Sequence, residues 1–299
     1  MRVTQFLITN MARQRTDAAS SAYAEAGRKA SASSAVEKRS DDPVTASRVA
    51  GLDRFLHELD MLEKNRNTVQ TELTLADTIV SSMQDAILNA KDIALAMSSD
   101  NLNDADRANS AVAVQKILDQ IRGLANRQHP GGKYLFGGLA EDRPPFDDAG
   151  EYQGNDGLRM VEIGPGVSIE ATVSGRDAFG PNQEVLTSLR GLIFALQNPT
   201  VPGDDTTGIK GIQNSLDRLE EARQTLSLAR TEIGGRLAIL NDVQALSVDL
   251  RTSVDYERSG LVAVDIARLA PELTTAKSVL EAVVETSKGL MSQTASWLR

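Results

Sequence analysis

The sequence predicts a mainly α-helical protein with a β-rich insert, in which long antiparallel helical rods formed by the N- and C-terminal regions flank a central, hairpin-containing outer block. Three observations predict it. Apolar residues recur at the spacing of a helical seam over long stretches on both sides of the middle of the chain, and such a seam needs a partner helix. The middle itself, Asn126 to Phe179, is rich in Gly, Pro, Tyr and Phe. Aromatic content is only 4%, which suits slender helix pairs better than a thick core. An isolated helix of such length could not bury its apolar stripe, so the two arms run back alongside each other.

Taken in order, Met1 to Arg39 carries few large apolar residues, with Val3, Phe6, Leu7 and Met11 near the start and a run of Ala and Ser over Ala30 to Ala35. It buries little by itself and is expected to stay disordered until a partner covers it. Ser40-Asp41-Asp42-Pro43-Val44 then reads as a helix start, with Asp42 as N-cap and Pro43 at the first helical position. Leu52, Leu59, Leu73, Val80, Ile87 and Ala94 recur every seven residues, and Phe55, Leu62, Val69, Ala76, Met83, Ala90 and Met97 fill the intermediate positions. Arg66 is the one interruption and is expected to tolerate Gln or Lys. A polar break over Asp100 to Asp106 separates this rod from a second helix, Ala108 to Ala125.

In the central block, Leu158 to Ile163 and Val167 to Val173 are joined by Gly164-Pro165-Gly166, and the second run alternates apolar with polar residues, a hairpin signal. A short helix follows at Gln183 to Gln197, then a loop rich in Pro, Gly and Asp. The next long helix runs from about Ile209 to Tyr256, where the pair Gly234-Gly235 predicts a close packing contact. Past Ser259-Gly260, the last helix carries Val262, Leu269, Ala276, Val283, Leu290 and Trp297 seven apart, with Ile266, Leu273 and Leu280 between them. This seam wants a partner, and Pro271 should kink the helix or mark its beginning.

Composition narrows the chemistry. A net charge of -9 and a pI near 4.9 disfavour nucleic acid or an anionic membrane surface as partner. No run approaches the roughly 18 apolar residues of a spanning helix, so no membrane insertion is expected, and the N-terminus has no signal-peptide pattern. With no cysteine, neither a disulfide nor a thiol nucleophile is available. His57 and His129 have no carboxylates at metal-ligand spacing and read as solvated or stacked. Asp41-Asp42, Asp147-Asp148 and Asp204-Asp205 sit beside Pro or Gly as caps and turns. Pro130-Gly131-Gly132-Lys133 lacks the first Gly of a phosphate loop and has Tyr134 where Ser or Thr would hold magnesium. No catalytic, cofactor-binding or metal-binding residue is expected.

Several short motifs carry a resemblance. They are Met1-Arg2-Val3-Thr4, the Ser40 to Val44 motif, Leu124-Ala125-Asn126, Gly132-Lys133-Tyr134-Leu135-Phe136-Gly137-Gly138, Pro145-Phe146, Tyr152-Gln153-Gly154, Val173 to Phe179 and Ile233-Gly234-Gly235-Arg236-Leu237. Over nearly the whole chain this set resembles the flagellin superfamily. The Tyr-Leu-Phe-Gly-Gly motif with the later Tyr-x-Gly favours the proteins that join hook to filament over filament flagellin itself. Two departures concern local packing: Ser33-Ser34-Ala35 stands where Gly-Lys-Arg is common, and Asp265-Ile266-Ala267-Arg268 replaces an Asp-x-Ala-Glu pattern.

The resemblance implies a structural subunit of the bacterial flagellum, extracellular and exported without a cleaved signal peptide. Its implied partners are other copies of itself, neighbouring junction and hook proteins, and an export chaperone with the secretion apparatus. The implied division is a terminal helical assembly domain at the axial core (1–41 with 259–299), a helical rod (42–130 with 181–258) and a β-rich outer domain (131–180). The expected assembly interface is Val3, Phe6, Leu7, Val262, Ile266, Leu269, Leu273, Leu280, Val283, Leu290 and Trp297. Ser40, Asp41, Asp42, Pro43, Tyr134, Phe136, Gly137 and Gly138 form the structural motif. Read from the residues alone, a coiled-coil binding module is the rival from another class.

Overall fold

The computed structural model describes residues 2–31, 43–99, 102–262 and 266–296. Helices dominate: α1 (Arg2–Ser31), α2 (Pro43–Met97), α3 (Asp104–Ala125), α4 (Gly175–Phe179), α5 (Glu184–Gln197), α6 (Gly208–Val262) and α7 (Ile266–Ser296). Strands β1 (Met160–Gly164) and β2 (Val167–Glu170) form an antiparallel pair. The chain divides into two compact units, Met1–His57 with Leu250–Arg299, and Glu58–Asp249.

In the Glu58–Asp249 unit α2 and α6 run antiparallel. Arg230 pairs with Asp77 at 2.9 Å and Glu220 with Lys91 at 2.8 Å, so residue numbers fall along one helix as they rise along the other. The α2 seam is buried at Leu59, Leu62, Val69, Leu73, Ala76, Val80, Met83, Ile87, Ala90 and Ala94, as its period requires. On α6, Ile212, Leu219, Leu226, Ile233 and Leu240 recur every seven residues and are buried, with small Ser215, Ala222 and Ala229 between them. Large residues on one ridge and small ones on the next let two helices approach closely. α3 packs on α5.

Helix α3 begins at Asp104, four residues earlier than its apolar pattern suggests. The reason is Asn103, whose side chain accepts the Asp106 N–H at 2.8 Å and caps the helix, so polar residues form its first turn. The preceding turn is held by buried Arg107, which donates to the Met97 and Ser99 carbonyls at 3.3 and 3.0 Å. The Asp pairs that are described sit in turns: Asp147 Oδ1 accepts the Glu151 N–H at 2.8 Å, and Asp204 Oδ1 accepts the Thr206 N–H and hydroxyl. The Asp41-Asp42 pair lies outside the described residues.

Among the described residues, strand content is one hairpin with a bulge between Glu162 and Gly164, plus three isolated bridges. Gly166 takes φ 69° in its turn, a conformation that favours glycine. Ile169, Ala171 and Val173 are buried, and so is Thr172, whose hydroxyl accepts the Arg159 N–H at 3.0 Å. α7 begins at Ile266, five residues before Pro271, which lies inside the helix.

Candidate assembly surface

The terminal unit is built on α1 packed against α7. This corrects the expectation of a disordered N-terminal arm: α1 is a helix of 30 residues. Its inner face is made mostly of small residues, with one tyrosine among them. Ala12, Thr16, Ala19, Tyr23 and Ala26 recur at four- and three-residue steps, with Ala12 and Ala19 buried and the others half-buried. The Thr16 and Ser287 hydroxyls lie 3.3 Å apart across the pair. On α7, Leu269, Leu273, Ala276, Leu280 and Val283 are half-buried at the same spacing. An open hollow of about 440 Å³ remains between the helices, lined by Met11, Ala12, Arg15, Val279 and Val283 among others.

The residues expected at the interface are placed as follows. Leu7 is 54% exposed and Val262 is half-buried at the end of α6. Val3, Phe6, Ile266 and Leu290 have helical backbone but side chains outside the described residues, where Trp297 lies entirely. Ser40, Asp41 and Asp42 are also outside, and Pro43 is the first residue of α2. The small-residue face of α1 was missed because alanine contributes little to a hydrophobic count, although the three-four spacing was there to read.

The central motifs converge on one clasp. Phe136 and Phe146 are buried and meet Phe179 edge-on, at ring distances of 5.7 and 4.7 Å. Tyr152 tilts against Phe146 at 5.4 Å. Its hydroxyl accepts the Gly175 N–H at 3.1 Å and lies 3.0 Å from the Phe136 and Asn155 carbonyls, to one of which it donates. Burial pushes the Tyr152 hydroxyl above its ordinary pKa, against the Gly175 N–H, which lowers it. Tyr134 is half-buried and donates its N–H to the Glu141 carbonyl at 2.9 Å. A side chain on Gly137 would collide with the Ala140 carbonyl, and one on Gly138, at φ 66°, would overlap the Asn155 carbonyl oxygen. Asn126, next after α3, clasps Phe146: its amide donates to the Phe146 carbonyl at 2.7 Å and accepts the Phe146 N–H at 2.9 Å.

Two arginines then tie the hairpin to α2 and α6. Arg66 is 5% exposed and donates to the Ile163 carbonyl at 2.6 Å. Burial holds its guanidinium below the ordinary pKa, with Glu63 opposing. Arg66 is therefore a buried tether, a placement that argues against its tolerating Gln or Lys. From α6, Arg236 donates to the Thr172 carbonyl at 2.8 Å and pairs with Glu170 at 2.7 Å and Glu232 at 2.5 Å. Beside them, Arg159 bridges Glu72 of α2 at 2.5 Å and Glu141 at 3.3 Å, and Lys133 closes on Glu141 at 2.6 Å. His129 is half-buried. Its Nδ1 accepts the Gly131 N–H at 2.9 Å, leaving the ring's other nitrogen 3.9 Å from Glu72. Gly234 and Gly235 depart from expectation too: they are exposed, and a Cβ on either would meet nothing within 4 Å. The described residues contain no group of three potential metal ligands, and no described helix is long and apolar enough to cross a membrane.

Comparison with known proteins places this architecture. Residues 3–141 match the family model of the bacterial flagellin N-terminal helical region. The chain is 26% identical over 278 residues to flagellar hook-associated protein 3 of Salmonella typhimurium, covering 87% of each chain. It is 26% identical over 256 residues to the Escherichia coli protein of the same name, covering 80% of this chain and 81% of that one. The solved structure of flagellar hook associated protein-3 from Legionella pneumophila shares its fold with a TM-score of 0.63 at 13% identity, over 71% of this chain and 98% of that one.

Proposed function

As a flagellin-superfamily chain similar over most of its length to flagellar hook-associated protein 3, this protein is, we propose, a structural subunit of the bacterial flagellum that joins the hook to the filament. The observation that carries the assembly mechanism is how little the terminal unit buries. Among its described residues only Ala12 and Ala19 are buried, while Leu269, Leu273, Leu280 and Val283 stay half-covered. Apolar surface left in this state is a drive for association. The paired α1 and α7 helices form the assembly surface and hand it to copies of the chain and to neighbouring junction and hook proteins.

Before assembly the same stripe needs cover, which an export chaperone supplies on the way to the secretion apparatus; export proceeds without a cleaved signal peptide. The central block faces outward as the outer domain of the subunit. A structural role of this kind asks for no catalytic group and no cofactor.

Cells lacking the gene should build hooks and release flagellin into the medium without attached filaments, and attached filaments in such cells would overturn the reading. For the surface itself, Leu273→Ser with Leu280→Ser should leave the helical signal and melting of the Glu58–Asp249 unit intact while the chain is lost from the flagellum. Normal swimming with the double variant incorporated would refute the assignment of α7.

A further inference from the structure

We propose that His129 is a proton-operated latch: neutral, its ring holds the turn that opens the central block, and protonated, it releases that turn and takes hold of Glu72 on α2.

One bond fixes the neutral arrangement. His129 Nδ1 accepts the Gly131 N–H at 2.9 Å, and a ring nitrogen that accepts carries no proton. The single proton of the neutral ring therefore sits on Nε2, which faces Glu72 Oε1 at 3.9 Å. Two backbone bonds close the same turn, from the His129 N–H to the Lys133 carbonyl and from the Gly132 N–H to the His129 carbonyl, each 2.9 Å. The ring lies directly on Gly131, where a Cβ would collide with its Cε1. From this turn the chain runs straight into Tyr134 to Gly138 and the clasp.

A second proton can go only to Nδ1, where the Gly131 N–H already points. Two donors then face each other, and the bond that held the turn is lost. On the other side of the ring the new cation meets an acceptor. Glu72 is 8% exposed and takes the Arg159 guanidinium on Oε2 at 2.5 Å, but no donor among the described residues reaches its Oε1 within hydrogen-bond distance. A carboxylate oxygen so placed is short of a partner, and a closing of about 1 Å brings Nε2–H to it at an ordinary length. With side chains 18% and 10% exposed, the pair is only weakly screened.

The other charges facing the ring are already committed. Lys133, on the same turn, closes on Glu141 at 2.6 Å, and Arg159, which precedes β1, divides between Glu72 and Glu141. Two cations thus balance two carboxylates, and Glu72 Oε1 is the position left for a third cation. Acid exchanges an anchor inside the turn for an anchor between the turn and α2, so the entry to the clasp changes what it is fastened to while its backbone stays in place.

The test uses the full chain, which has two histidines. In protein labelled with ¹⁵N-histidine, His57→Gln assigns the ring signals, and His57, exposed on α2, serves as the reference. Labelling with carbonyl-¹³C proline and ¹⁵N-glycine selects the glycines that follow Pro130, Pro165 and Pro202, and the Gly131 amide is the one displaced in His129→Gln. The series runs from about pH 8 to 5, the range in which histidine changes charge. At its upper end His129 should carry its proton on Nε2. As the ring takes up the second proton, exchange of the Gly131 amide should rise several-fold relative to that of Gly203. In Glu72→Gln, which keeps the shape and removes the charge, His129 should take up that proton at lower pH than in the parent. Three results would overturn the proposal: a neutral ring with its proton on Nδ1, a Gly131 amide indifferent to the charge of His129, or proton uptake at the parent's pH in folded Glu72→Gln. The first two are read on the unsubstituted chain and decide the matter even where Glu72→Gln melts early.

Discussion

Arg66→Gln is the most informative single change, because the buried guanidinium joins α2 to β1 through one short bond. Its Nη1 lies 2.6 Å from the Ile163 carbonyl oxygen, and both residues are buried. Glutamine is too short to span that gap from the same backbone position, so the carbonyl loses its tether partner. A hydrogen bond to a charged donor contributes about 1.5–3 kcal/mol, and an unpaired buried acceptor costs about 1–3 kcal/mol. These are two descriptions of one loss and do not add. Part is recovered because a charge that burial had destabilised, as the lowered pKa of Arg66 records, is removed. A net cost of about 2 kcal/mol follows, or roughly 4–8 °C in Tm for a unit of this size. Thermal melts followed by circular dichroism give the shift, and hydrogen exchange of the β1 and β2 amides should rise with it. A melt within about 1 °C of the parent, with hairpin protection unchanged, would refute the tether.

Other expectations can be checked alongside. Leu73→Asp puts a carboxylate at a position 1% exposed in the α2 seam and should cost several kcal/mol of the roughly 5–15 a domain has, so loss of the cooperative melt is expected; a melt like that of Arg66→Gln would mean the register is wrong. Gly138→Ala should destabilise the clasp by about 1–3 kcal/mol, since the residue needs φ 66° and its Cβ would overlap the Asn155 carbonyl oxygen; raised proteolysis between Phe136 and Asn155 reads this out. Hydrogen bonds from Arg223, then Lys91, lower the Glu220 pKa from 4.5 to about 2. A depressed carboxylate stabilises the fold above its unfolded pKa, and that contribution fades as pH falls through the folded value. Acid sensitivity from Glu220 is therefore expected between about pH 4.5 and 2 and should vanish in Glu220→Gln, by a small amount because the pair is partly solvated.

Much of this architecture was legible because it is written in periodicity. The α2 seam at Leu59, Leu73, Val80 and Ile87 is buried where a seven-residue repeat puts it, and Pro43 opens α2. Arg66 and Arg236 were opaque for a definite reason. Each binds a main-chain carbonyl, 97 and 64 residues away, and a carbonyl leaves no mark on residue identity. Within a seam an arginine reads only as an interruption. Gly234-Gly235 reads in sequence as a site of close packing, but a Cβ on either would meet nothing within 4 Å in the described chain. The surroundings of His129, in the turn after α3, were not legible because the carboxylate nearest its ring, Glu72, comes from α2, 57 positions earlier by residue number.

The sequence distances spanned by these contacts set an order in which the chain can acquire its shape. The hydrogen bonds of the clasp join residues 3 to 23 apart, whereas Arg230 and Asp77 are 153 apart and Thr16 and Ser287 are 271 apart. Closing a short loop costs less entropy than closing a long one, and each contact made shortens the loop left for the next. Once the clasp and the two arginine tethers hold the middle, α2 and α6 can zip away from it, and α1 can meet α7 only at the end. Pulse-labelled hydrogen exchange during refolding should therefore protect the Gly175 and Phe146 amides first and α1 last; protection of α1 ahead of the clasp would reverse the order. A chain that matures in this sequence completes the α1–α7 pair last, so the surface proposed for assembly exists only once the rest is in place.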